Sequence, residues 1–486
     1  MKYDVAIIGC GITGASIAFE LAKYDIKAVI IERENDVSMK TTKANSAIIH
    51  AGYDPKPGTN MARLNVLGSA LIHDLAPKLN FHYKQIGSVV IGRTEADHKV
   101  INTLFDRGIA NGVKGLKILR TQQAVHDIDR HINKDCDYAL YAPSAAIVSP
   151  WELALALAQT AVYNGVNLML NAGVEDIDGK MGAFRIKTTQ GLVEASYIIN
   201  CAGTHADDIY KLILKDKAEQ SFTILPCKGE YYLLDKDQGS MVKSVVFQTP
   251  TERGKGVLVA PTVHQNLIVG PNADFEVGSK DDTGSVQKNM DYIREMALLS
   301  IPDLAFTSNI RNFAGVRATL KDHDDFLIEE SSLIKGFINF AGIKSPGLSC
   351  GPAFGLEAVS LLEHAGLKMK EKGKFVYCPL PDYFSEMTEE EKEKVIAADP
   401  HFGRVICRCE TVTEGEILQA MHGIIPGRTI DAIKRRTNSG MGRCQGGFCG
   451  PKIFALLKKE FNLPFDQVFQ DVEGSSIALC ETKEGK

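Results

Sequence analysis

The sequence predicts an α/β Rossmann-like domain interleaved with an antiparallel-sheet region of α+β character, followed by a small helical C-terminal domain. Three observations point there. An apolar run of strand length at 3–8 leads straight into a glycine-rich turn and a helical pattern. Stretches dense in β-branched and aromatic residues alternate with later segments rich in Gly, Ser and Ala. Four cysteines near the C-terminus, Cys407, Cys409, Cys444 and Cys449, sit among short helical patterns.

At 486 residues the chain exceeds one hydrophobic core and calls for two or three domains. Apolar and charged contents of 44% and 24% are those of a globular protein. A net charge of −5 gives no support to nucleic-acid binding. Eleven scattered cysteines do not form a secreted disulfide framework, so a reducing cytoplasm is expected. The apolar stretch at 5–18 is interrupted by Gly9, Gly11 and Gly14, unlike a signal-peptide core. No segment has the ~20 apolar residues of a membrane span, so any membrane contact is expected to be peripheral, through a partner.

Residues 3–8 (YDVAII) read as the first strand, followed by Gly9-Cys10-Gly11-Ile12-Thr13-Gly14, an amphipathic helix over about 15–23, and a second strand over 27–31 ending in Glu32. This is the strand–turn–helix–strand context of a dinucleotide fingerprint. Its glycines permit a tight turn and backbone approach to a pyrophosphate at the positive end of the helix. Glu32, eighteen residues after Gly14, suits ribose hydroxyls and disfavours a 2′-phosphate. The fingerprint alone leaves NAD and FAD both open.

Three later segments have the small-residue character expected where backbone approaches a large planar cofactor: 41–53, with Thr42, Asn45, Ser46 and His50; 195–201, ending at Ala202-Gly203; and 337–351, with Gly342, Lys344, Gly347, Leu348 and Ser349, opening a helix to about 364. Between them, 81–92, 224–234 and 256–269 predict an antiparallel sheet. Cys201 and Cys350 read as small buried fillers.

Beyond about residue 370 the composition shifts. Residues 371–398 read as a linker, with Thr388 and Glu391 at capping-box spacing, and a new domain is expected over 399–470, then a tail over 471–486. Thr413 and Glu416 form a second capping box, a helix follows at 429–437, and Pro451 opens another. The four cysteines therefore fall in loops at helix ends. Four thiolates suit a [2Fe-2S] cluster, and glycine in the Cys444–Cys449 loop lets backbone N–H groups approach sulfur. Zinc also accepts four cysteines, although its usual CxxC knuckles are absent. Arg408, Lys434, Arg435, Arg436 and Arg443 surround this site in sequence and suit either an acidic partner or a solvated helix face.

In this order, the segments up to about residue 370 resemble the glycine/D-amino-acid oxidase superfamily of FAD enzymes. Within it they are most similar to the anaerobic glycerol-3-phosphate dehydrogenase large-subunit and L-2-hydroxyglutarate dehydrogenase groups. The cysteine segment is similar to the bacterioferritin-associated-ferredoxin-like [2Fe-2S] domain. The resemblance implies FAD-binding segments at about 1–75, 145–215 and 310–370, and substrate-domain segments at about 76–144 and 216–309. It implies FAD contacts from the fingerprint residues, Glu32, Arg33, Thr42, Asn45, Ser46, Val174, Ala202, Gly203, Gly315, Gly342, Gly347, Leu348 and Ser349.

By the same resemblance, His50 lies beside the flavin ring as the base for a hydroxyl proton, while Arg317 anchors an anionic substrate; Lys344, between Gly342 and Gly347, suits either contact with flavin or substrate or a solvated position. The implied activity is dehydrogenation of a small anionic hydroxy compound, sn-glycerol 3-phosphate first and L-2-hydroxyglutarate as the alternative. Residues 55–64, with Pro55, Pro57 and Arg63, lean toward the hydroxyglutarate group. Electrons are expected to leave through the cluster to a protein subunit, itself a flavoprotein or an iron–sulfur protein. A redox sensor without turnover, and an oxidase with a structural metal module, are the competing readings.

Overall fold

The computed structural model describes residues 2–250, 256–480 and 483, so the expected tail over 471–486 lies partly outside them. The chain forms two compact units: residues 1–33 with 37–378, and residues 34–36 with 379–486.

In the first unit, five parallel strands run side by side in the order Asn167–Met169, Ala28–Ile31, Lys2–Ile8, Gly191–Asn200 and Phe337–Ala341. The middle ones are almost wholly apolar because helices cover a parallel sheet on both faces. The helix after the glycine turn spans Ile12–Leu21, starting three residues before the expected position, with Gly11 as its N-cap. It is also not amphipathic. All ten of its residues are buried, because the helices Pro150–Tyr163 and Gly347–His364 both pack on it.

Among the described residues, the second sheet of this unit has eight strands, in the order Asn309–Leu320, Ile224–Leu234, Leu267–Gly270, Leu258–Pro261, Val245–Gln248, Ser88–Gly92, Tyr138–Ala142 and Lys117–Leu119. It departs from the antiparallel expectation at one pair: Val245–Gln248 runs parallel to Ser88–Gly92. The long excursion between those strands removes the hairpin constraint that enforces antiparallel pairing. The expected strand at 81–92 is also broken. Gly87 adopts φ +74°, and Tyr83–Gln85 joins a separate small sheet with Ile48–Ile49 and Ala146–Val148. That small sheet is braced from below by Glu152, in the first turn of Pro150–Tyr163. Its buried carboxylate accepts from the His82 backbone N–H at 2.9 Å and pairs with His82 Nδ1 at 2.7 Å and His264 Nε2 at 3.4 Å.

The second unit contains the helices Glu389–Ala398, Glu414–Met421, Ile430–Thr437 and Gly450–Glu460, and the short pair Val405–Cys407 with Val412–Thr413. Both expected capping boxes form: Thr388 with Glu391, and Thr413 with Glu416. The Glu416 carboxylate also accepts the Phe384 N–H at 2.9 Å, joining the residues before the first helix to the second.

Asp36 is fully buried and accepts from Arg435 Nη2 at 2.9 Å and from Arg436 Nη1 and Nη2 at 2.8 Å each. Burial alone would raise its pKa, but the two guanidiniums hold it down at about 2. Lys434 pairs with Asp431 at 2.7 Å, and Arg435 also reaches Asp471 at 2.8 Å. These three basic residues therefore form neither a docking patch nor a solvated helix face; Arg408 and Arg443 are exposed. Truncating Asp36 to Ala takes the shared carboxylate from two buried guanidiniums, leaving Arg436 without an acid among the described residues while Arg435 keeps Asp471, and is expected to cost about 3–5 kcal/mol. Because the folded pKa lies below the ordinary 3.8, this stabilisation is complete above about pH 4 and is lost as the pH falls toward 2. Urea melts across that range, wild type against Asp36→Asn, measure it as a steeper slope in the wild type.

Candidate functional site

A cleft of about 1420 Å³ opens at the carboxyl ends of the parallel strands and runs under the second sheet. It exceeds the ~300–1,000 Å³ of an ordinary small-molecule pocket, as a dinucleotide plus a substrate requires. Its nucleotide end is built by the turn after Lys2–Ile8. Gly9 has φ +100°, and a Cβ there would lie 2.6 Å from the Cys201 carbonyl oxygen. A Cβ on residue 14 would lie 1.9 Å from the Gly9 oxygen, so only glycine lets the helix start this close to the strand. Glu32 Oε2 accepts the Cys10 N–H at 2.6 Å, and Thr42 Oγ1 accepts the Ile12 N–H at 2.9 Å. A bare-backbone cradle at a helix N-terminus, with a carboxylate at the next strand end, fits the pyrophosphate and ribose of a dinucleotide.

Most of the expected cofactor residues line this cleft: Gly9, Gly11, Ile12, Thr13, Glu32, Arg33, Thr42, Asn45, Ser46, Val174, Ala202, Gly203, Gly315, Gly347 and Leu348. Gly14, Gly342 and Ser349 are not among its lining residues. Gly14 serves the helix–strand approach, and Ser349 Oγ accepts the His50 N–H at 2.8 Å. Asn45 shapes its own loop, donating to the Thr42 carbonyl and accepting from the Ala47 N–H, both at 2.8 Å.

His50, Arg317 and Lys344 all line the same cleft. The His50 backbone is fixed at both ends, because its carbonyl accepts Asn65 Nδ2 and Ser69 Oγ, each at 2.7 Å, from the helix Asn60–Leu79. Its Nε2 lies 3.3 Å from Ser345 Oγ, and its ring packs 5.8 Å from Phe247. Arg317 comes from Asn309–Leu320, and its Nη2 donates to the Asn272 carbonyl at 2.5 Å. A Cβ on Gly229, in the paired strand, would lie 2.2 Å from that nitrogen, so the missing side chain makes room for the guanidinium. Lys344 Nζ pairs with Asp324 at 2.9 Å. Tyr231 also lines the cleft, whereas Tyr53 is buried in the core beside it. Asn65, Ser69, Ser345 and Gly229 escaped the sequence reading. Only Ser345 carried a local signal, standing next to Lys344 in the glycine-rich loop.

In the second unit the four cysteines converge. Cys407 and Cys449 are buried, Cys444 is half-buried and Cys409 is exposed. Cys409 Sγ and Cys444 Sγ lie 3.7 Å apart. Two thiolates at ~2.3 Å from one tetrahedral metal ion lie about that far apart. The Cys407 thiol is held below its ordinary range, first by its hydrogen bond to Cys449, against the opposing effect of burial, and by the backbone N–H groups of Gly440, Glu410 and Cys409. The Phe448 and Gly446 backbones aim at Cys444 in the same way. Four thiols ringed by backbone donors suit an anionic iron–sulfur cluster.

Fold and sites together define an oxidoreductase with a dinucleotide cofactor and a metal cluster. Residues 4–361 match the FAD dependent oxidoreductase family, and residues 405–459 match the BFD-like [2Fe-2S] binding domain. The chain belongs to the FAD-dependent oxidoreductase family, and its cofactors are FAD and a [2Fe-2S] cluster, as its sequence led us to expect. It is 44% identical over 482 residues to glycerol 3-phosphate dehydrogenase of Caloramator mitchellensis, covering 99% of each chain. It is 28% identical over 382 residues to mitochondrial L-2-hydroxyglutarate dehydrogenase of Bos taurus, covering 68% of this chain and 80% of that one. L-α-glycerophosphate oxidase of Mycoplasma pneumoniae, in an FAD-bound structure, matches with a TM-score of 0.74 and 28% identity, over 79% of this chain and 100% of that one. Replacing Cys409 or Cys444 by Ser is expected to bring iron and acid-labile sulfide to background while flavin content holds, as read by metal assay and absorbance.

Proposed function

We propose that this chain oxidises the secondary hydroxyl of sn-glycerol 3-phosphate, giving dihydroxyacetone phosphate, and delivers the electrons to a partner protein. The observation that carries this reading is the 44% identity to a glycerol 3-phosphate dehydrogenase along nearly the whole of both chains. The likeness to L-2-hydroxyglutarate dehydrogenase is weaker in both identity and coverage, so that substrate ranks second.

FAD, when bound, supplies the hydride acceptor, and the [2Fe-2S] cluster supplies one-electron carriage. The Arg317 fork, held open by Gly229 and oriented by Asn272, binds the substrate's anionic group. His50 takes the hydroxyl proton at Nε2, with Ser345 Oγ orienting the ring. The Ser349, Asn65 and Ser69 hydrogen bonds keep that nitrogen in position. Gly347 and Leu348 bring the positive end of the Gly347–His364 helix to the cleft, favouring negative charge there. Lys344, paired with Asp324, adds a second cation to the cleft wall.

Among the described residues no helix is long and apolar enough to cross a membrane. The reading places the chain in the cytoplasm, with a flavoprotein or iron–sulfur subunit as electron acceptor and as the source of any membrane contact.

Anaerobic addition of sn-glycerol 3-phosphate is expected to bleach the flavin absorbance and then the cluster absorbance. Bleaching by L-2-hydroxyglutarate alone would reverse the order of the two substrates, and a high peroxide yield in air would favour the oxidase. Arg317→Lys removes the fork and a charge-assisted hydrogen bond of about 1.5–3 kcal/mol. With flavin content unchanged, steady-state kinetics should show KM for the phosphate substrate raised about 10–100-fold.

A further inference from the structure

Residues 271–286 connect the strand Leu267–Gly270 to the helix Gln287–Ser300. Three consecutive charged residues in this loop each engage a different part of the first unit. Lys280 Nζ lies 2.6 Å from Asp207 and 2.8 Å from Asp208. The Asp281 carboxylate lies 3.2 Å from Arg33 Nη2, 3.2 Å from Lys40 Nζ and 3.0 Å from His205 Nε2. Asp282 lies 3.1 Å from Lys228 Nζ.

The partners of Asp281 come from two sides of one feature. Arg33 and Lys40 follow the strand Ala28–Ile31, whereas His205 follows Gly191–Asn200. In the sheet these two strands flank Lys2–Ile8, the strand that ends in the Gly9 turn. Arg33, Lys40 and His205 all line the cleft. One carboxylate on a loop from the other sheet thus ties together the two sides of the nucleotide end.

We propose that residues 279–282 form an electrostatic strap that retains FAD, with Asp281 as its fastening. The proposal rests on the assignment of FAD to this cleft. The Lys280–Asp207 and Lys228–Asp282 pairs each have one buried member, whereas the Asp281 pairs are half-exposed, Asp281 being 39% accessible and its partners 26–46%. Pairs of that kind contribute little to fold stability and are screened by salt. Several of them on one short loop suit a closure that holds under ordinary conditions yet opens to load a large cofactor. The retained cofactor makes no covalent bond in this scheme, so the strap acts on release rate.

The test follows FAD release from the holoprotein by the rise in free-flavin fluorescence after dilution. Asp281→Asn is expected to release FAD about tenfold faster at low ionic strength, and Lys280→Met, which loosens the neighbouring anchor, to give a smaller acceleration. About 1 M NaCl, where the screening length falls to ~3 Å, should accelerate release from the wild type more than from Asp281→Asn, which keeps only the Lys280 and Asp282 anchors. Wild-type release rates in both variants, or a wild-type rate indifferent to salt, would overturn the strap. If Asp281→Asn does not fold, as judged by its thermal melt, Lys280→Met and the salt series decide. A purified wild-type chain carrying iron but no flavin would instead overturn the assignment of FAD to the cleft, and the strap with it.

Discussion

The first unit depends on one close approach. The backbone of residue 14 passes so near the Gly9 carbonyl, and Gly9 so near the Cys201 carbonyl, that neither position tolerates a side chain. This contact sets the Ile12–Leu21 helix directly on the end of the Lys2–Ile8 strand. It also draws the end of Gly191–Asn200 against the same turn. Glu32 and Thr42 then close on the amides of Cys10 and Ile12, so the residues suited to a dinucleotide arrive together. A side chain at either glycine would displace the sheet, the helix and the cleft at once, because they meet at that point.

The chemical end of the cleft is organised differently. The side chains proposed to act there stand on segments whose backbones are fixed from elsewhere. His50 follows a two-residue strand that alone would hold nothing firmly, yet a serine from one helix and an asparagine and a serine from another pin both its amide and its carbonyl. Arg317 lies on a long paired strand, and its place is made by an absence in the neighbouring strand at Gly229. The geometry of the proposed site thus resides in positioning groups that have no part in the proposed chemistry.

That division explains what could be read from sequence. The glycine turn, Glu32, the capping boxes and the cysteine quartet are legible because their partners lie within a few residues or follow a fixed local spacing. The burial of the Ile12–Leu21 helix on every side is not legible locally, because the two helices that cover its outer face come from more than a hundred residues away. The parallel pairing of Val245–Gln248 with Ser88–Gly92 leaves no trace in local periodicity. Arg435 and Arg436 read as surface charge, since the buried carboxylate that neutralises them lies about 400 positions earlier in the chain. Asn65 and Ser69 are unremarkable helix residues until the His50 carbonyl is set against them.

The Asp36 cluster also bears on how the protein can be divided. Residues 34–36 belong to the cysteine-bearing unit, although the chain enters and leaves them from the nucleotide-binding one. A single cut near Cys378 therefore does not separate two self-sufficient pieces. The C-terminal fragment would keep two buried guanidiniums and lose the carboxylate between them, and the N-terminal fragment would keep the acid without those guanidiniums. Grafting the cluster module onto another flavoprotein would require transplanting a tripeptide as well, at the end of that protein's second strand.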